Sequence, residues 1–84
     1  MKHNIEIAPL LDYYVIAIKD KETGKLVETF TLNESGTDML RLFCEGKNEM
    51  EVAKEIADIY QVPLDYVSKD VTLFVGRLHK KGIL

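Results

Sequence analysis

Two stretches of this chain carry side chains whose types and spacing could do chemistry, and in both the chemistry is recognition. Tyr66, Asp70, Leu73 and Arg77 fall at i, i+4, i+7 and i+11, which on a helix keeps them on one side. A stripe that mixes Tyr, Leu and a charged pair suits a groove wall with an apolar floor and a few orienting polar groups. A solvated helix flank with one stray leucine has the same composition. The second stretch is Leu26-Val27-Glu28-Thr29-Phe30-Thr31-Leu32. As the last strand of a sheet it would offer unpaired main-chain donors and acceptors to an incoming strand. It carries Glu28 but no proline, so it is only lightly protected against pairing.

Bond-making chemistry has little to work with. His3 and His79 are far apart, and no Cys or acidic pair stands at metal-ligand spacing beside either. The five glycines are scattered singly, so no loop cradles a phosphate. Cys44 lies among Leu40, Leu42 and Phe43 and reads as a small buried hydrophobe, not a nucleophile. Glu51, Glu55 and Asp58 fall where the solvated face of a helix is expected. No Ser/His/Asp arrangement can be assembled. We therefore expect a binding module and not an enzyme, with no catalytic residue, no metal and no cofactor.

The 84 residues suffice for one domain with a modest core, and we take 1–84 as that single domain. A content of 46% hydrophobic and 30% charged residues argues for a globular fold and against disorder. No apolar run approaches the roughly 20 residues that cross a bilayer, and Met1-Lys2-His3-Asn4 leads into no signal-peptide core. A lone cysteine fits a reducing compartment, so a cytoplasmic location without membrane contact is expected. Net charge is −3, unevenly spread: residues 33–63 hold seven acidic and three basic groups, residues 64–84 two acidic and four basic. Binding to phosphate backbones usually needs a clear basic face, and this distribution counts against nucleic acid.

The stripe and the edge strand need elements to position them. Ile5-Glu6-Ile7-Ala8 alternates and is expected to end at Pro9. Tyr13–Lys19 is rich in aromatic and β-branched residues and should be a second strand. A polar turn over Asp20–Lys25, with Gly24 available for positive φ, leads into Leu26–Leu32. The second and third strands should form an antiparallel hairpin, with the first beside the second. That leaves Leu26–Leu32 at the sheet edge, with Leu26, Phe30, Leu32 and Glu28 on one face and Val27, Thr29 and Thr31 on the other.

The joint Leu32-Asn33-Glu34-Ser35-Gly36 then hands strand over to helix. Asn33 or Ser35 offers an oxygen to the first helical N–H groups, Glu34 and Asp38 suit the positive helix end, and Ser35 with Asp38 has capping-box spacing. A first helix is expected from about Ser35 to Cys44, burying Met39, Leu40 and Phe43 and stopping at Glu45-Gly46. Asn48 with Glu51 caps a second helix that buries Val52, Ile56, Ile59 and Tyr60. Pro63 fits the first position of a third, which buries Val67, Val71, Phe74, Val75 and Leu78. Lys80-Lys81-Gly82 ends it, and Ile83-Leu84 returns to the core. The fold class is thus α+β, three short antiparallel strands followed by three helices in a winged helix-turn-helix-like order.

These residues resemble the PqqD family, coenzyme PQQ synthesis protein D and its relatives, small domains also called RiPP recognition elements. The resemblance lies in Leu32-Asn33-Glu34-Ser35-Gly36 for the family's LNET-(A/G) joint and in Met39-Leu40-Arg41-Leu42-Phe43 with Glu45-Gly46. It continues through Glu55-Ile56-Ala57, Tyr60 with Val62-Pro63, Asp70-Val71, Leu78 and Lys81-Gly82-Ile83-Leu84. It covers the chain from about Leu32 onward, with the strands agreeing in kind. What it implies is a domain in which N-terminal strands replace the wing. Such a domain binds the leader segment of a ribosomally made precursor peptide and presents it to a modifying enzyme, often a radical SAM protein. The leader would add as a strand on the third strand, over a groove bordered by the third helix. On that reading the peptide-binding residues are Val27, Glu28, Thr29, Phe30 and Thr31 with Tyr66, Asp70, Leu73 and Arg77. Two alternatives stand beside it. One is a winged-helix-like DNA-binding domain with Lys69, Arg77, Lys80 and Lys81 on phosphates. The other is a scaffold in which two Leu26–Leu32 edges pair, so that the expected state is a monomer or a weak homodimer.

Overall fold

The computed structural model describes residues 3–84, in the order β1 (His3–Leu10), β2 (Tyr13–Asp20), β3 (Leu26–Leu32), α1 (Glu34–Cys44), α2 (Glu49–Tyr60) and α3 (Leu64–Lys80). The strands form one antiparallel sheet in the order β1-β2-β3. β1 runs on past Pro9 to Leu10, which pairs with Tyr13, so the expected stop at the proline does not occur. An edge strand tolerates proline because the missing N–H would face away from the sheet. The hairpin closes through Leu11 and Asp12, with Leu11 at φ 55°.

Between β2 and β3, Asp20 organises the turn. Its Oδ1 accepts from the Glu22 and Thr23 amides at 2.8 and 3.0 Å, and these donors hold its carboxyl below the usual range. Gly24 supplies the positive φ, 72°. The register then slips. Ile18 faces Glu28 but Lys19 faces Leu26, which leaves Val27 as an extra residue. A bulge breaks strict alternation, so Leu26 and Val27 are both exposed, and Leu26 does not join Phe30 and Leu32 on the inner face as expected. Beyond the bulge the alternation holds, with Glu28, Phe30 and Leu32 turned inward and Thr29 and Thr31 outward.

Asn33 caps α1. Its Oδ1 accepts from the Gly36 amide at 2.9 Å and the Ser35 hydroxyl at 3.2 Å, so the helix starts one residue before Ser35. Asp38 is not used as a capping partner; it accepts a 2.6 Å bond from the Tyr60 hydroxyl, bracing α1 against the end of α2. Burial and that carboxylate push the Tyr60 phenol well above its ordinary range. Asn48 and Glu51 form the reciprocal capping box of α2, at 2.9 and 3.0 Å. Pro63 stands just before α3 as its N-cap and not as its first helical residue.

Two helices end in the same device. Gly46 and Gly82 take positive φ. The following amides, of Lys47 and Ile83, reach back to the carbonyls of Leu42 and Leu78 at 3.2 and 2.9 Å, the paired bonds of a Schellman motif. The second motif folds Ile83 into the core beside Leu78, whereas Leu84, expected there as well, is exposed.

The core is one cluster: Ile16 and Ile18 of β2; Met39, Leu40 and Leu42 of α1; Val52, Ala53 and Ile56 of α2; Val67, Val71, Phe74 and Leu78 of α3; and Ile83. Phe43, Tyr60 and Val75 are half-buried against it. Phe43 stacks on Phe74 with ring centroids 6.4 Å apart. Two further residues expected in the core lie outside. Ile59 is exposed because the inner stripe of α2 is centred between Val52 and Ala53, and at 100° per residue Ile59 falls at its margin in the last turn. Cys44 is exposed at the last position of α1, where the chain is already turning off, although partial burial still raises its thiol pKa.

Candidate functional site

The outer edge of β3 has no strand neighbour among the described residues. α3 is held close to it by its own end: Lys81 Nζ lies 3.1 Å from Glu28 Oε1 and 4.5 Å from the centroid of the Phe30 ring. β3 and α3 are thus the banks of a trough, and two clefts open along it.

The narrower cleft, about 180 Å³, lies between the first turn of α1 and the middle of α3. Asn33, Ser35 and Gly36 line one side, Asp70, Leu73 and Arg77 the other, with Met39 and Phe74 completing the lining. The local sequence explains its shape. A Cβ on Gly36 would stand 3.1 Å from Asn33 Oδ1 and 3.4 Å from Leu32 Cδ2, so a side chain there would press on the cap that shapes this wall. Leu73 is 66% exposed, an apolar side chain turned to solvent beside the buried Phe74. The wider cleft, about 500 Å³, lies between Val27 and Glu28 on β3 and Arg77, Lys80 and Lys81 on α3. Arg77 lines both clefts and joins them.

Of the residues expected at the site, Asp70, Leu73 and Arg77 come together on one wall, and Val27 and Glu28 meet Arg77 in the wider cleft. Tyr66 is exposed one turn earlier on the same side of α3 and lines neither cleft. Phe30 points inward against the core, and Thr29 and Thr31 are exposed on the opposite sheet face, so these three offer the trough main-chain groups and not side chains. Sequence reasoning passed over Asn33, Ser35 and Gly36 as lining, although it singled them out as a cap, and Lys80 and Lys81 as groove residues. The signal for the lysines was spacing: Lys81 stands four residues after Arg77 and continues its side of the helix.

The arrangement can grip an extended chain. It has unpaired strand groups, an exposed leucine over an apolar floor, and charged groups at defined places. Among the described residues no three His, Cys, Asp or Glu side chains gather as a metal site. His79 is exposed, and His3 is half-buried at the far strand.

Comparison with known proteins agrees with the fold. A solved structure described as TbiB1 in complex with the TbiA(beta) leader peptide superposes with a TM-score of 0.71 at 28% sequence identity, over 100% of this chain and 94% of that one. No curated protein matches the sequence. The family model for coenzyme PQQ synthesis protein D (PqqD) matches residues 18–84, from the end of β2 through all three helices. With that match and the three-strand, three-helix architecture, the chain belongs to the PqqD family.

Proposed function

We propose that this protein is a non-catalytic module that binds the leader segment of a ribosomally made precursor peptide and presents it to a modifying enzyme. The observation that carries the reading is the unpaired edge of β3, which faces Arg77 of α3 across one cleft, while Arg77 continues along α3 into a wall with Leu73 and Asp70 opposite the start of α1. Strand addition satisfies the main-chain groups of the edge, and alternate side chains of the peptide enter the clefts. Membership of the PqqD family and the likeness to a structure holding a leader peptide support the same mode. The enzyme served is of the radical SAM or another peptide-modifying class, and the working compartment is the cytoplasm. No helix among the described residues is long and apolar enough to cross a membrane.

A backbone amide NMR titration tests the reading. One arm uses the leader segment of a precursor encoded beside its gene, the other a short mixed-sequence DNA duplex. Shifts along Leu26–Leu32 and Asp70–Arg77 with peptide alone are expected. Shifts with the duplex, centred on α3 and Lys80-Lys81, would replace the reading with the DNA-binding one.

A further inference from the structure

We propose that the wider cleft selects peptides carrying an acidic side chain, and that Arg77 and Lys80 are the residues that read it. The inference rests on the leader-binding reading and adds to it the charge class of the ligand at one position.

The argument begins with which charges are already satisfied. Three cations and one carboxylate border the cleft. The carboxylate, Glu28, is taken by Lys81 at 3.1 Å, and the same ammonium rests over the Phe30 ring. Arg77 and Lys80 are exposed and make no ion pair among the described residues. Two unneutralised cations therefore face a cleft beside an open strand edge, in a chain whose net charge is −3. Composition does not produce this, since the chain is acidic as a whole. Cations in the last turn do complement the negative end of α3. That accounts for basic residues there, but not for two of them lining a peptide-sized cleft.

A carboxylate meets the chemistry on offer. The guanidinium presents a planar fork for two parallel hydrogen bonds and the lysine a movable point charge. At the other end of the trough Asp70 borders the narrower cleft opposite the charge of Arg77, so the surplus of positive charge is confined to the wider one. The two clefts lie at opposite ends of β3, at Val27–Glu28 and beside Asn33. Leu73 and Lys80 are seven residues apart on α3, about 10 Å of helix, so the acidic residue should stand about three positions along the strand from the residue that covers Leu73.

The test is selection of a phage-displayed library of random short peptides on the wild-type chain and on the double variant Arg77→Glu/Lys80→Glu. Both side chains are exposed and unpaired, so the variant should fold, and circular dichroism checks this. Arg77→Gln/Lys80→Gln serves as a milder second variant. The expected result is enrichment of Asp or Glu at one position on wild type, of Lys or Arg there on the Glu variant, and of neither on the Gln variant. A peptide selected on wild type should bind the Glu variant about tenfold more weakly, with a smaller difference at high salt. Peptides that shift the β3 amides but show no acidic preference would overturn the inference while leaving the leader-binding reading intact. Failure to recover any peptide that binds along β3 would overturn both.

Discussion

β1 and β3 are both edges of one three-stranded sheet, but they differ in what they offer a second strand. β1 carries Pro9, which removes one donor, and Glu6, tied to Lys19 of β2 at 2.6 Å. Proline and charge are the usual means of keeping an edge from pairing. β3 has no proline, and its carboxylate is folded inward onto Lys81. It also faces α3 across a cleft that Val27 and Glu28 share with Arg77, Lys80 and Lys81. On the reading proposed above, an open edge becomes a site where a second element supplies side-chain contacts along the same line.

The largest effect should come from the inner face of β3. Phe30→Asp places a charge against the core and should cost about 3 kcal/mol by chemical denaturation. Thr29→Asp, one residue away on the outer face, should stay within about 0.5 kcal/mol of wild type. Equal losses would contradict the assignment of faces. Next comes the groove wall: Leu73→Glu should weaken leader binding about tenfold with thermal stability unchanged, since the side chain is exposed in the unbound protein.

The brace between α1 and α2 touches neither edge, so Tyr60→Phe should cost about 1 kcal/mol of stability and leave binding alone. Its pH dependence has a definite sign. The phenol pKa is raised in the folded state, so the bond to Asp38 contributes fully below the ordinary tyrosine value of 10.0 and is lost as pH climbs beyond it. The stability difference between wild type and Tyr60→Phe should therefore shrink in alkali. Lys81→Met, which keeps the aliphatic stem and removes the exposed pair with Glu28, should cost less than about 1 kcal/mol. The smallest effect on binding is expected at β1. Pro9→Val restores a donor to that edge, so light scattering should show more self-association while leader affinity stays unchanged.

Much of the fold was legible because it is local. The Asn48/Glu51 box, the glycine stops at 46 and 82 and the strand-to-helix switch at Asn33 are each decided within a few residues, and each forms as its sequence suggests. What was not legible depends on partners distant in the chain. The bulge at Val27 is set by register against β2, so alternation in β3 alone placed Leu26 on the wrong face. Pro9 stays in a strand only because nothing pairs outside it. The stripe on α3 could be read from helical spacing, but not that Asn33 and Ser35 would stand opposite it or that Lys81 would reach Glu28, 53 residues away. Cys44 shows the limit from the other side: apolar neighbours in sequence did not bury it, because it occupies the last helical position.

The most direct test of the central claim is amide hydrogen exchange on the two edges, with and without the leader segment of a precursor encoded beside its gene. Strand addition at β3 predicts that peptide slows exchange of alternate amides within Leu26–Leu32 and leaves those of His3–Leu10 unchanged. Protection along β1, or none on either edge with peptide demonstrably bound, would contradict the account.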